Sequence, residues 1–160
     1  MPGMTAPKDV PLWLLPVAYF IHAVEEFLGG AGLSLAPARM RGFNLTPVQF
    51  IVINAFALGL LCFGLWMARR RGFPHLLVVI VSTIMLVNGL LHVLTALRTS
   101  AYTPGLYTSP LVFIPLGAWA LWRLRGDMRP ARYLVGFLTG AGVHVVISLL
   151  AHNGRNLFGK

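Results

Sequence analysis

An all-α bundle of five membrane-crossing helices is the fold class this chain predicts, and three observations predict it. Its 160 residues are 57% hydrophobic and only 11% charged, where an average soluble domain carries about 25% charged residues. The mean hydropathy is +0.75. The apolar residues fall in long blocks parted by short polar or basic stretches, so residues 1–160 read as a single integral membrane domain of a multi-pass cell-membrane protein. A net charge of +9 would suggest nucleic acid in a soluble protein, yet the Lys and Arg stand in small groups beside the apolar blocks. There they set topology and touch anionic headgroups, so membrane lipid is the expected partner and nucleic acid is not. Cys62 is the only cysteine, which leaves no disulfide framework and no thiolate metal cluster.

The first span, about 10–29, opens with Pro11 and carries Pro16, which is expected to bend the helix about a turn and a half before His22. Gly29-Gly30 is read as its stop, and the segment as retained rather than cleaved. A loop with Pro37, Arg39 and Arg41 follows. Thr46-Pro47-Val48-Gln49 has the grammar of a helix start, with Thr as cap, Pro at the first helical position and Gln three residues beyond the cap. Asn44-Leu45-Thr46 matches a glycosylation acceptor, but its Thr doubles as that cap. The second span, about 47–68, has Asn54 as its interior polar group and ends at Arg69-Arg70-Arg71-Gly72.

The third span, about 75–97, holds Asn88 and His92, and His75 at its start is read as a headgroup-level residue. After a loop with Pro104-Gly105, Ser109-Pro110 starts a short fourth span, about 110–124, bent at Pro115. The fifth, about 131–152, sets Gly136, Gly140, His144, Ser148 and His152 at steps of four, so neighbours share one face. Its glycines allow close approach of another helix, either within the chain or across a homodimer through the Gly136/Gly140 face.

Lys8, Arg69–Arg71, Arg123, Arg125, Arg129 and Arg132 fall on one side, against Arg39, Arg41, Arg98, Arg155 and Lys160 on the other. The richer side is expected to be cytoplasmic, which puts the N-terminus inside and the C-terminus outside. Spans one, three and five then run parallel. At 1.5 Å per residue His22 lies about 10 Å from its helix end, His92 about 8 Å and His144 about 12 Å, with Asn54 at the same level in the antiparallel second span.

The chemistry concentrates in His22-Ala23-Val24-Glu25-Glu26. In a helix Glu25 sits about 60° to one side of His22 and Glu26 about 40° to the other, so one face carries all three. Each acidic or basic group at the centre of a spanning helix costs about 2.5–3.5 kcal/mol, so this face is expected to look inward at something that compensates it. Imidazole and carboxylate together suit a divalent metal, zinc first and iron as the alternative. His22, Glu26, His92 and His144 are the candidate ligands; His22, Glu25 and Glu26 are the candidate catalytic groups, with Glu25 as general base or as acceptor from a ligand histidine. Asn54, Asn88, Ser148 and His152 are supporting polar groups. Adding Asn88 and His152 to the ligands allows a two-metal site, but one metal is preferred because only the first helix supplies carboxylates.

His22-x-x-Glu25-Glu26 in the first of several spans, followed by Asn88-x-x-x-His92 and later histidines, resembles the HXXEE family of small integral membrane proteins. The resemblance implies an enzymatic role for His22, Glu25 and Glu26. The leading expectation is a metal-dependent membrane enzyme acting on a lipid-like or amphiphilic small molecule by hydrolysis, isomerisation or dehydration. A carrier or proton/metal pathway using the same groups, and a non-catalytic membrane subunit whose polar cluster fixes helix packing, are the alternatives.

Overall fold

The computed structural model describes residues 11–34, 39–42 and 45–157, with 151–157 in backbone alone. The readings attached to Lys8, Val10, Pro37, Asn44 and Lys160, and to the side chains of His152 and Arg155, lie outside the described residues. Among the described residues five helices make up the fold: α1 (Leu14–Ala31), α2 (Pro47–Arg71), α3 (Pro74–Thr99), α4 (Ile114–Leu124), led in by a π-helical turn at Ser109–Phe113, and α5 (Pro130–Leu157). Among the described residues there is no strand. α2, α3 and the Pro130–Leu150 part of α5 are long and apolar enough to cross a membrane.

Local chemistry explains most helix ends. Gln49 N–H donates to Thr46 Oγ1 at 3.2 Å, and Thr46 N–H donates to Gln49 Oε1 at 2.9 Å, which is the reciprocal cap expected for α2. Gly72 closes α2 in the left-handed conformation, φ 77°. Two expectations for α1 need correction. Pro16 falls in the first turn, where its missing N–H has no helical partner to lose, so it gives the helix no reason to bend. Gly29 and Gly30 do not stop α1, which continues to Ala31 and ends at Gly32, φ 65°. They make room for neighbours instead: a Cβ at Gly29 would fall 2.5 Å from the Tyr102 hydroxyl, and one at Gly30 2.7 Å from Met40 Cε. The π-turn precedes Pro115, with Ile114 N–H reaching back to Ser109 O.

Residue pairings give the helix directions. Tyr19 meets Asn54 and Phe27 meets Phe50, so α1 and α2 are antiparallel. His22 meets Asn88 and Glu26 meets His92, so α1 and α3 run the same way. Gly117 lies against Ser82 and Gly89 against Ile114, which makes α4 antiparallel to α3. α3 is the central helix, in contact with all the others. Small residues let its neighbours approach: a Cβ at Gly136 would lie 2.9 Å from Val79 Cγ1, and one at Gly140 2.5 Å from Ile80 O. The Gly136/Gly140 stripe therefore serves an intramolecular contact between α5 and α3, and α5 runs parallel to α3. The core, with Leu15, Leu65, Val78, Val79, Met85 and Leu124 buried, fills the half of the bundle near the start of α1. The polar cluster occupies the other half.

Candidate metal centre and its closing loop

α1 and α3 place His22, Glu26 and His92 face to face. Glu26 Oε1 lies 3.5 Å from His22 Nε2 and 3.2 Å from His92 Nε2. One ligand atom from each of the three lies within 4.8 Å of the other two, so this group can hold a metal ion. Its level follows from the helices: counting back from Ala31 and Thr99, His22 is about 14 Å and His92 about 10 Å from the ends of their helices. The His22 side chain is 3% exposed, whereas those of Glu26 and His92 are 12% and 15% exposed. Access to the cluster is therefore from the Glu26/His92 side.

The His22 ring is held on every edge. Phe113 stacks on it with centroids 4.0 Å apart, and the His92 ring meets it edge-on at 5.1 Å. Thr108 Oγ1 lies 2.6 Å from Nδ1 and Asn88 Nδ2 lies 3.0 Å from Nε2.

Glu25 has a different task from Glu26. Its carboxylate turns toward the loop between α3 and the π-turn and accepts from Tyr107 N–H at 2.8 Å, Thr108 N–H at 2.6 Å, Thr108 Oγ1 at 2.5 Å and the Tyr102 hydroxyl at 3.3 Å. Two of these donors are backbone N–H groups at the start of the π-turn and α4, where helical partners are lacking and negative charge is favoured. A carboxylate from α1 thus caps a helix more than eighty residues away. Ser109, at the expected start of the fourth span, donates its hydroxyl to Gly105 O at 2.6 Å. Burial, then the nearby Glu25 charge, pushes the Tyr102 phenol above its ordinary value and keeps it a donor.

The same loop covers the cluster. Gly105, φ 89°, lies so close to both imidazoles that a Cβ there would meet His92 Cε1 at 2.8 Å and His22 Cε1 at 2.9 Å. Thr108, Tyr107 and Tyr102 carry no motif, and Gly105 reads from sequence only as part of a turn. The available signal was the pairing of tyrosines and threonines around Pro104-Gly105 in an otherwise apolar chain.

Asn88 contacts the cluster directly through His22. Asn54 accepts from the Tyr19 hydroxyl at 2.6 Å and donates to Phe50 O, which ties α2 to α1 beside the site. His144 is buried, 4% exposed, and within electrostatic range of His92 and Glu26. Its Nε2 faces Ser148 Oγ at 3.2 Å, one turn along its own helix. His75, read as lying at headgroup level, is buried at the opposite end of α3, in range of Asp127 and Arg132.

A family model described as a protein of unknown function with HXXEE motif matches residues 13–120. The chain belongs to this family. The matched stretch takes in His22, Glu25, Glu26, Asn88, His92 and Thr108 and stops before α5 with His144. No curated protein and no solved structure matches the chain.

Proposed function

We propose that this HXXEE protein is a metal-dependent integral membrane enzyme whose ion is held by His22, Glu26 and His92. The observation that carries the reading is a spacing. A tetrahedral ion with bonds of about 2.0–2.1 Å sets its ligand atoms about 3.3 Å apart, and Glu26 Oε1 lies 3.5 and 3.2 Å from the two imidazole nitrogens. Zinc fits two imidazoles and a carboxylate best, with iron as the alternative. Three protein ligands leave a fourth position for water or substrate. His144 is a further imidazole within electrostatic range of His92 and Glu26.

An ion there supplies Lewis acidity and lowers the pKa of a water molecule, which suits hydrolysis, isomerisation or dehydration. The protein's own groups do the rest: Glu26 and His92 border the accessible side, Phe113 and Gly105 exclude solvent from His22, and Glu25 holds the cover in place. The outer faces of α2 and α5 are apolar, with Val52, Phe56, Phe63, Val135, Leu138 and Leu149 exposed, and they suit a multi-pass protein in the cell membrane. A substrate that meets such a site within one leaflet is lipid-like or amphiphilic. The Lys/Arg distribution supports a cytoplasmic N-terminus.

The test is elemental analysis of protein purified without a metal-affinity step. About one zinc or iron per chain is expected, and it should be lost in His22→Ala and in His92→Ala. Native protein free of both metals would remove the reading. Comparing lipid extracts incubated with the protein and with Glu26→Gln would then identify the molecule consumed.

A further inference from the structure

The hydrogen bonds around Thr108 fix which nitrogen of His22 carries the proton. A threonine hydroxyl has one proton to give. Glu25, which also receives Tyr107 N–H and Thr108 N–H, can only accept, so the Thr108 proton goes to Glu25 Oε2 at 2.5 Å. The 2.6 Å contact between Thr108 Oγ1 and His22 Nδ1 then requires the nitrogen to be the donor. On the opposite edge of the ring, Asn88 Nδ2 lies 3.0 Å from Nε2, where an amide N–H needs an acceptor. That amide is closer to Nε2 than Glu26 Oε1, 3.5 Å from the same nitrogen, so the second edge agrees with the Thr108 edge on one tautomer, with the proton on Nδ1 and the lone pair on Nε2.

Nε2 is the nitrogen beside Glu26, and an ion bound there would take its lone pair over from the Asn88 amide. We infer that Thr108 is a positioning residue which, oriented by Glu25, holds His22 in the Nδ1–H tautomer and so readies Nε2 as a metal ligand. The inference rests on the metal reading above for its purpose but not for its geometry. Metal-binding histidines usually donate their second nitrogen to a carboxylate or carbonyl oxygen. Here a hydroxyl stands between the imidazole and the carboxylate, and it comes from the loop that covers the site. Docking of that loop and preparation of the ligand are thus one chain of hydrogen bonds, from Tyr107 and Thr108 through Glu25 and back through Thr108 to His22.

The test uses full-length protein in lipid nanodiscs with ¹⁵N-labelled histidine, and His22→Gln assigns the His22 signals. At one neutral pH in zinc-free buffer, wild type should show a protonated Nδ1 and an unprotonated Nε2 for His22. Thr108→Val, nearly the same in shape, should lose that pattern, and Thr108→Ser should restore it. Zinc titration should give a dissociation constant about tenfold to a hundredfold weaker in Thr108→Val, the usual effect of removing an outer partner, and near wild type in Thr108→Ser. A His22 protonated on Nε2 in wild type would overturn the inference, as would a Thr108→Val protein with unchanged tautomer and zinc affinity. If the protein takes up no zinc yet the tautomer follows the residue at 108, the positioning role stands and the metal reading falls. If zinc binds at His22 and His92 with no dependence on residue 108, the metal reading stands and the positioning role falls.

Discussion

Gly105→Ala should damage the site more than it damages the fold. An L-residue in the left-handed region costs about 1–2 kcal/mol, and Gly105 has φ 89°. The new methyl would also lie 2.8 Å from His92 Cε1, 2.9 Å from His22 Cε1 and 3.0 Å from His92 Nε2. Non-bonded carbons rest at about 3.5–4.0 Å, so the rings or the loop must retreat by about 0.6 Å. Overpacking of this kind adds about 1–3 kcal/mol. The displacement is the decisive figure, because metal–ligand distances tolerate only about 0.2 Å. Zinc affinity should therefore fall at least about tenfold. Gly72→Ala is the control, since φ is 77° there and nothing lies within 4 Å of its added Cβ. It should lose the backbone-strain part of the stability and none of the zinc affinity. Thermal unfolding and zinc titration of both variants in one detergent measure the two effects. A Gly105→Ala protein with wild-type zinc affinity, no less stable than Gly72→Ala, would refute the close packing of the loop on the imidazoles.

Three further outcomes follow from the helix contacts and the loop. Gly140→Val should loosen α5 from α3 by about 1–3 kcal/mol or more, because its Cβ would meet Ile80 O at 2.5 Å and Thr83 Cβ at 2.7 Å; an unchanged melting temperature would place that helix contact elsewhere. In a double-mutant cycle, Tyr19→Phe and Asn54→Leu should show a coupling of about 0.6 kcal/mol, and no more than about 1.7, through their 2.6 Å hydrogen bond; zero coupling would deny the bond. The Tyr102 phenol is raised from its ordinary 10.0, so its contribution to loop closure should be complete below that pH and be lost as pH rises through the higher folded value. Tyr102→Phe should remove one step with its midpoint above pH 10 from a phenolate-absorbance titration, and a midpoint below pH 10 for that step would contradict the shift.

How far the sequence could be read depended on whether helix geometry alone settles a feature. Block lengths and caps gave five helices, and a fixed rise per residue put His22, His92 and Asn54 at one depth, which their contacts bear out. Rotation about a helix axis is not set by depth, and this is why His144 reaches the right level while its Nε2 faces Ser148. Gly29-Gly30 looked like a terminus because glycine weakens helices, whereas the pair is there for close approach by Tyr102 and Met40. The Thr99–Thr108 loop had no periodicity to read. Its fold is written in long-range bonds to Glu25, which no local pattern announces.

Those bonds explain why the motif needs two adjacent glutamates. Successive helical residues point about 100° apart, so carboxylates three and four residues after a histidine flank it on opposite sides. Glu26, one turn on, faces α3 and shares the His22 Nε2 edge with His92. Glu25 faces away from α3, toward the loop, and reaches the other edge of the same ring through Thr108. One imidazole thus has a carboxylate of its own helix near each nitrogen, Glu26 beside His92 of α3 and Glu25 through Thr108 of the loop. Moving one carboxylate by one position, with total charge kept, would remove the contacts of that carboxylate and leave those of the other. Glu25→Gln should therefore loosen the loop while leaving the Glu26–His92 contact, and Glu26→Gln should do the reverse. Proteolytic susceptibility of the Tyr102–Thr108 segment, set against zinc stoichiometry in the same two variants, separates them. Equal effects of the two substitutions on both readouts would mean that the glutamates do not divide the work in this way.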